Sequence, residues 1–265
     1  MAPVDPRRSL TLLASETAVL NRDISALTAD QWQAPANCPG WQVADLVAHV
    51  VRNGWSFLAF AQRALEGDLT PPFGPSVAHI QEEIKASGAK GAADRQQRET
   101  GEFVSLAQGL SDADLQAKSG GHMAGPRPIA WACTQRLVEV AYHHWDLRHS
   151  LGQDGPLAGG VATHLLPFML DPRGSNIMTK PSEGATASSF RLSSGTAGQA
   201  WRLTAGPRGR QVDTDAGQPA DVELEAEPGW LALAIYGRVP ASNPNLRLTG
   251  AADAAARFQA AFGGA

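Results

Sequence analysis

The sequence has 265 residues, 43 % of them hydrophobic, with 22 basic and 26 acidic side chains and a formal charge of -4. This is enough apolar material for one large core or two ordinary ones, and the scattered basic residues argue against nucleic acid or an anionic membrane as partner. The two cysteines, Cys38 and Cys133, stand far apart in sequence and outside any CxxC spacing, so neither a disulfide framework nor a cysteine zinc knuckle is suggested.

The N-terminal stretch "MAPVDPRRSLTLLASETAVL" lacks an uninterrupted apolar h-region, and nothing later approaches the roughly 18 apolar residues of a membrane span. A cytoplasmic protein with no export signal and no anchor is expected. In chain order, Leu10, Leu12, Leu13, Val19, Leu20 and Ile24 fall at helical spacing from Ser9 to about Leu27. Pro39 and Gly40 in "PANCPGW" form a turn, and a second helix is predicted from Trp41 to about Gly67 with Leu46, Val50, Phe57, Leu58 and Leu65 on its buried face. After the loop "DLTPPFGPS", helical pieces are predicted over 77–86 and 97–115, separated by the polar run "KASGAKGAAD". The loop "KSGGHMAGPRP" leads to a helix from about Ile129 to Leu151. Four main helices with intervening loops predict an up-and-down bundle.

Beyond Gly152 the pattern changes. A short apolar helix at 161–170 precedes a Gly/Ser/Pro-rich segment, and then "SSFRLSS", "AWRLTAG", "RQVDTD" and "ADVELEAE" alternate as strands do. "PGWLALAIYGR" reads as a helix with Pro228 near its start, "NLRLTG" as a last strand and "AADAAARFQAAF" as a closing helix. The expected organisation is α+β in two domains, 1–153 and 154–265.

The stretch "VEVAYHHWDLRHSLG", Val138 to Gly152, concentrates ionisable groups on one helix. Residues four apart share a helix face, so Glu139 and His143 project together. His144, rotated about 100° from His143, points elsewhere. A carboxylate and one imidazole make a weak metal site, and catalytic zinc takes three protein ligands plus an open position. His49, in the apolar run "WQVADLVAHVV", is the best third candidate; the alternative is a core histidine satisfied by a hydrogen bond. His79, His122, His149 and His164 have no such partners and read as surface or loop residues, with His122 in a Gly-rich loop able to approach a site.

"CPGWQVADLVAHV" together with "RLVEVAYHHWDLRHSLG" resembles the mycothiol-dependent maleylpyruvate isomerase family, within the DinB-like metalloenzyme group, whose helical bundle carries CPGWxVxDLxxH followed by ExxxHxWDL. "LALAIYGR" and "LRLTGAADAAARF" resemble, more loosely, that family's C-terminal α+β domain of the sterol-carrier type. The resemblance implies a divalent metal, usually zinc, held by His49, Glu139 and His143, with His144 and His149 outside the ligand set. It also implies that the small thiol mycothiol serves as cosubstrate, so no protein thiol is required at the site.

Asp146 is expected as structure or as support for a ligand rather than as a fourth ligand, and Trp41 and Trp145 as bundle packing. Asp45 either orients His49 or ends on the surface, and Arg136 is placed to pair with a carboxylate. Cys38 reads as a turn residue and Cys133 as helix packing. Arg238, in "YGR", is the candidate for gripping a substrate carboxylate through its forked donors, with capping of the preceding helix as the alternative.

Three functions follow. The first is a metal- and thiol-dependent isomerase or transferase acting on a small electrophile. The second is a hydrolase that activates water on the same bundle, and the third a binding module with a structural metal. A monomer or homodimer is expected.

Overall fold

The computed structural model describes residues 4–73, 78–171, 173–174, 187–195, 197–206, 209–213 and 217–262. The chain divides into two units, Asp5–Gly155 and Pro156–Ala265.

The first unit is helical. Its elements are α1 (Pro6–Ser25), α2 (Ala29–Gln33), α3 (Val43–Glu66), α4 (Ala78–Ala86), α5 (Gly88–Gln108), α6 (Asp112–Ala117), the short strands β1 (Ser119–Gly120) and β2 (Arg127–Pro128), and α7 (Ile129–Ser150). Local chemistry sets the ends. Asp5 caps α1 by accepting from the Arg7 N–H, and Thr28 and Gln31 form a reciprocal box that starts the short α2 just beyond the expected end of the first helix. The second long helix begins at Val43, two residues later than expected, and stops at Gly67, whose φ of 76° is open to glycine at no steric cost.

The polar run "KASGAKGAAD" is mostly helical: the interruption narrows to Ser87, between α4 and α5. The expected piece over 97–115 is also divided, because Ser111 accepts from the Asp114 N–H and starts α6 afresh. Helix α1 packs on α5 and α7, and α3 packs on the same two, so α1 and α3 lie across a diagonal of the bundle. The order around the bundle is therefore α1, α5, α3, α7, not the sequential order of a simple up-and-down bundle. Helices α3 and α7 pack on each other, with Phe57 and Phe60 of α3 against Trp131 of α7, all three buried.

The second unit holds α8 (Gly159–Met169), β3 (Ser188–Ser194), β4 (Gln199–Gly206), β5 (Gly209–Asp213), β6 (Val222–Ala226), α9 (Pro228–Ile235), β7 (Arg247–Gly250) and α10 (Ala254–Phe262). Its five strands are ordered β5-β4-β3-β6-β7, antiparallel except for the parallel β3–β6 pair. The strands expected from alternation are all present, although the end of "RQVDTD" lies outside the described residues. Alternation puts Phe190, Leu192, Trp201, Leu203, Val222 and Leu224 on the buried face with Phe258 and Phe262 of α10. Arg191, Ser193, Glu223 and Thr249 line a shallow polar pocket. The Gly/Ser/Pro-rich segment that follows α8 lies largely outside the described residues.

Candidate metal centre

The turn before α3 carries the first part of the site. Pro39 and Gly40 occupy the centre of a turn closed by the Trp41 N–H on the Cys38 carbonyl, and the φ of 80° at Gly40 is what a type II turn requires there. This turn presents Asn37 and Cys38 to α7, where they meet Ser150 and Asp146, and Trp41 to His49 of α3. Helix α3 then supplies His49, Arg52 and Asn53, and α7 supplies Gln135, Glu139, His143 and Asp146.

His49, Glu139 and His143 meet. Their ligand atoms lie within 4.8 Å of one another, with Glu139 Oε2 3.8 Å from His49 Nε2 and 3.6 Å from His143 Nε2. Donors around one tetrahedral ion at about 2.1 Å stand about 3.4 Å apart, and the two separations from Glu139 Oε2 exceed this by only a few tenths of an ångström. The three side chains are between 14 % and 23 % exposed, sheltered by the bundle yet reachable by a small molecule. One carboxylate and two imidazoles with an open side form a donor set of the catalytic kind.

The surroundings hold these three in place. Glu139 accepts from Asn53 Nδ2 at Oε2 (2.8 Å) and from Gln135 Nε2 at Oε1 (3.2 Å). Asp146, fully buried, accepts from His143 Nδ1 at 3.0 Å, so Nε2 is the nitrogen turned toward Glu139 and, in the neutral imidazole, the one whose lone pair would take a cation. Cys38, His143 and Asp146 also stand close enough to be ligands. The His143–Asp146 contact has hydrogen-bond length, so Nδ1 is the protonated nitrogen and this second group serves the first. Burial pushes the Glu139 carboxyl up and the His143 imidazole down, but both are outweighed: His143 and His49 hold Glu139 well below its ordinary range, and Asp146, Cys38 and Glu139 hold His143 well above its own. Burial pulls His49 below its ordinary value.

A family model described as the mycothiol maleylpyruvate isomerase N-terminal domain matches residues 13–148, more than half of the chain. The chain belongs to that family. No curated protein matches the sequence. Among solved structures, a mycothiol-dependent maleylpyruvate isomerase superposes with a TM-score of 0.69 at 16 % identity, covering 94 % of this chain and 96 % of that one. A histidine-to-alanine variant of such an isomerase gives 0.67 at the same identity and coverage. A Bacillus subtilis protein described as a probable metal-dependent hydrolase with an unusual four-helix bundle topology covers 56 % of this chain and 89 % of its own, at 16 % identity and a TM-score of 0.46. At these identities the likeness is one of fold.

Within this member of the isomerase family the other candidates fall elsewhere. His144 is buried and lies between Glu16 (2.6 Å) and Asp23 (2.8 Å) of α1, where it ties two helices together. His149 stacks on Trp145 at 4.7 Å, and Trp145 Nε1 donates to the Gly155 carbonyl. His122 packs on Trp131 and Phe73, and His79 is exposed in α4.

Asp45 bonds Lys85 and the Gln42 N–H, so it starts α3 rather than orienting His49. Arg136 donates to the Val50 carbonyl, Gln96 and Thr100, not to a carboxylate as its spacing suggested. The Trp41 ring packs 5.2 Å from that of His49, so its packing is against the site. Cys133 is buried, its thiol pushed up to about 12 by burial, and is no nucleophile. Arg238 belongs to the second unit, where its N–H bonds the Leu233 carbonyl in the turn that ends α9 and its guanidinium lies 5.4 Å from the Tyr236 ring.

Sequence reasoning missed Asn53, Gln135 and Arg52. The first two stand four residues from a ligand, the same helical repeat that paired Glu139 with His143, and this spacing was the signal available.

Proposed function

We propose that the protein is a divalent-metal enzyme that uses a low-molecular-weight thiol, mycothiol, as nucleophile toward a small electrophilic substrate, by cis-trans isomerisation or by thiol transfer. The observation that carries this is the convergence of His49, Glu139 and His143, with an open side, in a chain of the isomerase family. Zinc is the proposed metal, because two imidazoles and a carboxylate suit it. When bound, such an ion supplies the Lewis acidity that keeps a coordinated thiol deprotonated.

The chain's own residues do the rest. Asp146 keeps the His143 proton on Nδ1, and Asn53 and Gln135 fix the two oxygens of Glu139, so the ligands are ordered before anything binds. The Trp41 ring covers one side of His49 and keeps water from it. In an isomerisation the thiolate adds to a cis double bond, the resulting single bond rotates, and loss of the thiolate restores the double bond as trans. Arg238, which we propose as the catalytic group of the second unit, grips a substrate carboxylate with its paired donors. We read that unit as sterol-carrier-like, supplying the substrate-binding surface.

The test is turnover of a cis-olefinic acid such as maleylpyruvate, and of simple electrophiles, by the zinc-loaded protein with and without mycothiol. Activity that requires the thiol is expected. Thiol-independent hydrolysis would contradict the proposal and favour the water-activating hydrolase instead.

A further inference from the structure

Arg52 stands at the rim of the metal centre, one helical turn beyond His49, and its bonding there does not balance. Its Nη2 faces His49 Nδ1 at 3.3 Å, while Asn53 Nδ2 faces His49 Nε2 at 3.1 Å. Both facing atoms are donors, and the Asn53 amide cannot be turned round: its oxygen accepts from Arg52 and its nitrogen donates to Glu139. A neutral imidazole offers one lone pair, so one of the two contacts is not a hydrogen bond. An ion held through His49 Nε2 decides which one, because the imidazole proton then sits on Nδ1, pointing at the guanidinium. Arg52 Nη2 loses His49 as an acceptor, and Arg52 Nε is already buried without a hydrogen-bond partner among the described residues. Of its described acceptors only Asn53 Oδ1 is left to it.

Accessibility points the same way. Arg136 is sealed within the bundle and cannot meet a ligand, whereas Arg52 is partly exposed.

We propose that Arg52 is an anion-binding residue at the rim of this centre and takes the carboxylate of the small-molecule substrate that lies beside the metal. The proposal rests on the metal reading given above. Loading the metal frees the guanidinium from His49, and its planar fork then binds the carboxylate through two parallel N–H groups. Order of binding follows from this: metal first, acid second.

The test uses the full-length protein and its Arg52→Gln and Arg52→Lys variants, with two readouts. In the first, zinc affinity is measured by competition with a chelator. Because Arg52 opposes the metal-bound form of His49, Arg52→Gln should bind zinc as tightly as the wild type or more tightly. A residue that merely oriented His49 would lose zinc affinity by about 10- to 100-fold on substitution, and that result would overturn the proposal.

In the second readout, maleate is titrated into the cobalt-loaded proteins while the visible cobalt bands are followed. Maleate affinity should fall at least tenfold in Arg52→Gln, less in Arg52→Lys, and should be negligible without metal. Equal affinity in wild type and Arg52→Gln, or no maleate binding to the wild type, would overturn the proposal. Failure of the wild type to bind cobalt would instead overturn the metal reading beneath it.

Discussion

At the scale of single residues, the three candidate ligands depend on side chains that never touch the ion. Asn53 and Gln135 each hold one oxygen of Glu139, and such supporting groups are worth about 10- to 100-fold in metal affinity. Gln135→Ala should therefore weaken zinc binding by that amount in a chelator competition while leaving the helical circular dichroism intact. Unchanged affinity would mean that Glu139 is held without Gln135. Asp45 gives a pH prediction. Lys85 holds its carboxyl below the ordinary value of 3.8, so the stabilisation is complete above 3.8 and lost as pH falls through the lower folded value. Asp45→Asn should lower the urea midpoint at pH 7, and the difference from wild type should close as the pH drops below 3.8. Much of the site was legible at this scale because Glu139 and His143 share a helix repeat and His49 is an imidazole in an apolar run. Arg52 and Trp41 were not legible, since their contacts with His49 depend on side-chain direction and on the turn at Gly40 rather than on residue type.

At the scale of elements, α3, α5 and α7 are joined by a buried cation. Arg136 of α7 donates to the Val50 carbonyl of α3 and to Gln96 and Thr100 of α5, and burial pulls it down to about 10. Gly54 of α3 leaves the space: a Cβ there would stand 3.1 Å from Arg136 Nη2 and 3.3 Å from Gln96 Oε1. In an open helix, Gly→Ala stabilises by about 1 kcal/mol; here overpacking costs about 1–3 kcal/mol, because three bonds pin the guanidinium and it cannot retreat. Gly54→Ala should therefore destabilise the protein in urea denaturation, and a stabilised variant would show that Arg136 is free to move. Apolar periodicity found the four long helices and the strands because each has a buried face with its own repeat. It overstated the break at "KASGAKGAAD", where tertiary packing of Ala92, Ala93 and Gln96 overrides weak local propensity. It could not give the order α1, α5, α3, α7, because an apolar stripe says that a helix is covered without saying by which neighbour.

At the scale of the whole molecule, a helical bundle with a candidate metal centre is joined in one chain to a sheet unit whose Arg238 is the proposed substrate grip. Among the described residues no helix is long and apolar enough to cross a membrane. A ligand that binds only the folded state stabilises it by mass action, about 2.7 kcal/mol at a hundredfold excess over Kd. Zinc should accordingly raise the thermal midpoint of the wild type, and a chelator should reverse the rise; a midpoint indifferent to zinc would count against a centre formed by folding. The most direct test of the account is the cobalt content and visible spectrum of the protein and of His49→Ala, before and after mycothiol is added. The account predicts one cobalt per chain in the wild type, its loss in His49→Ala, and a new sulfur-to-cobalt band when the thiol is added. Cobalt retained by His49→Ala, or a wild-type spectrum that mycothiol leaves unchanged, would contradict it.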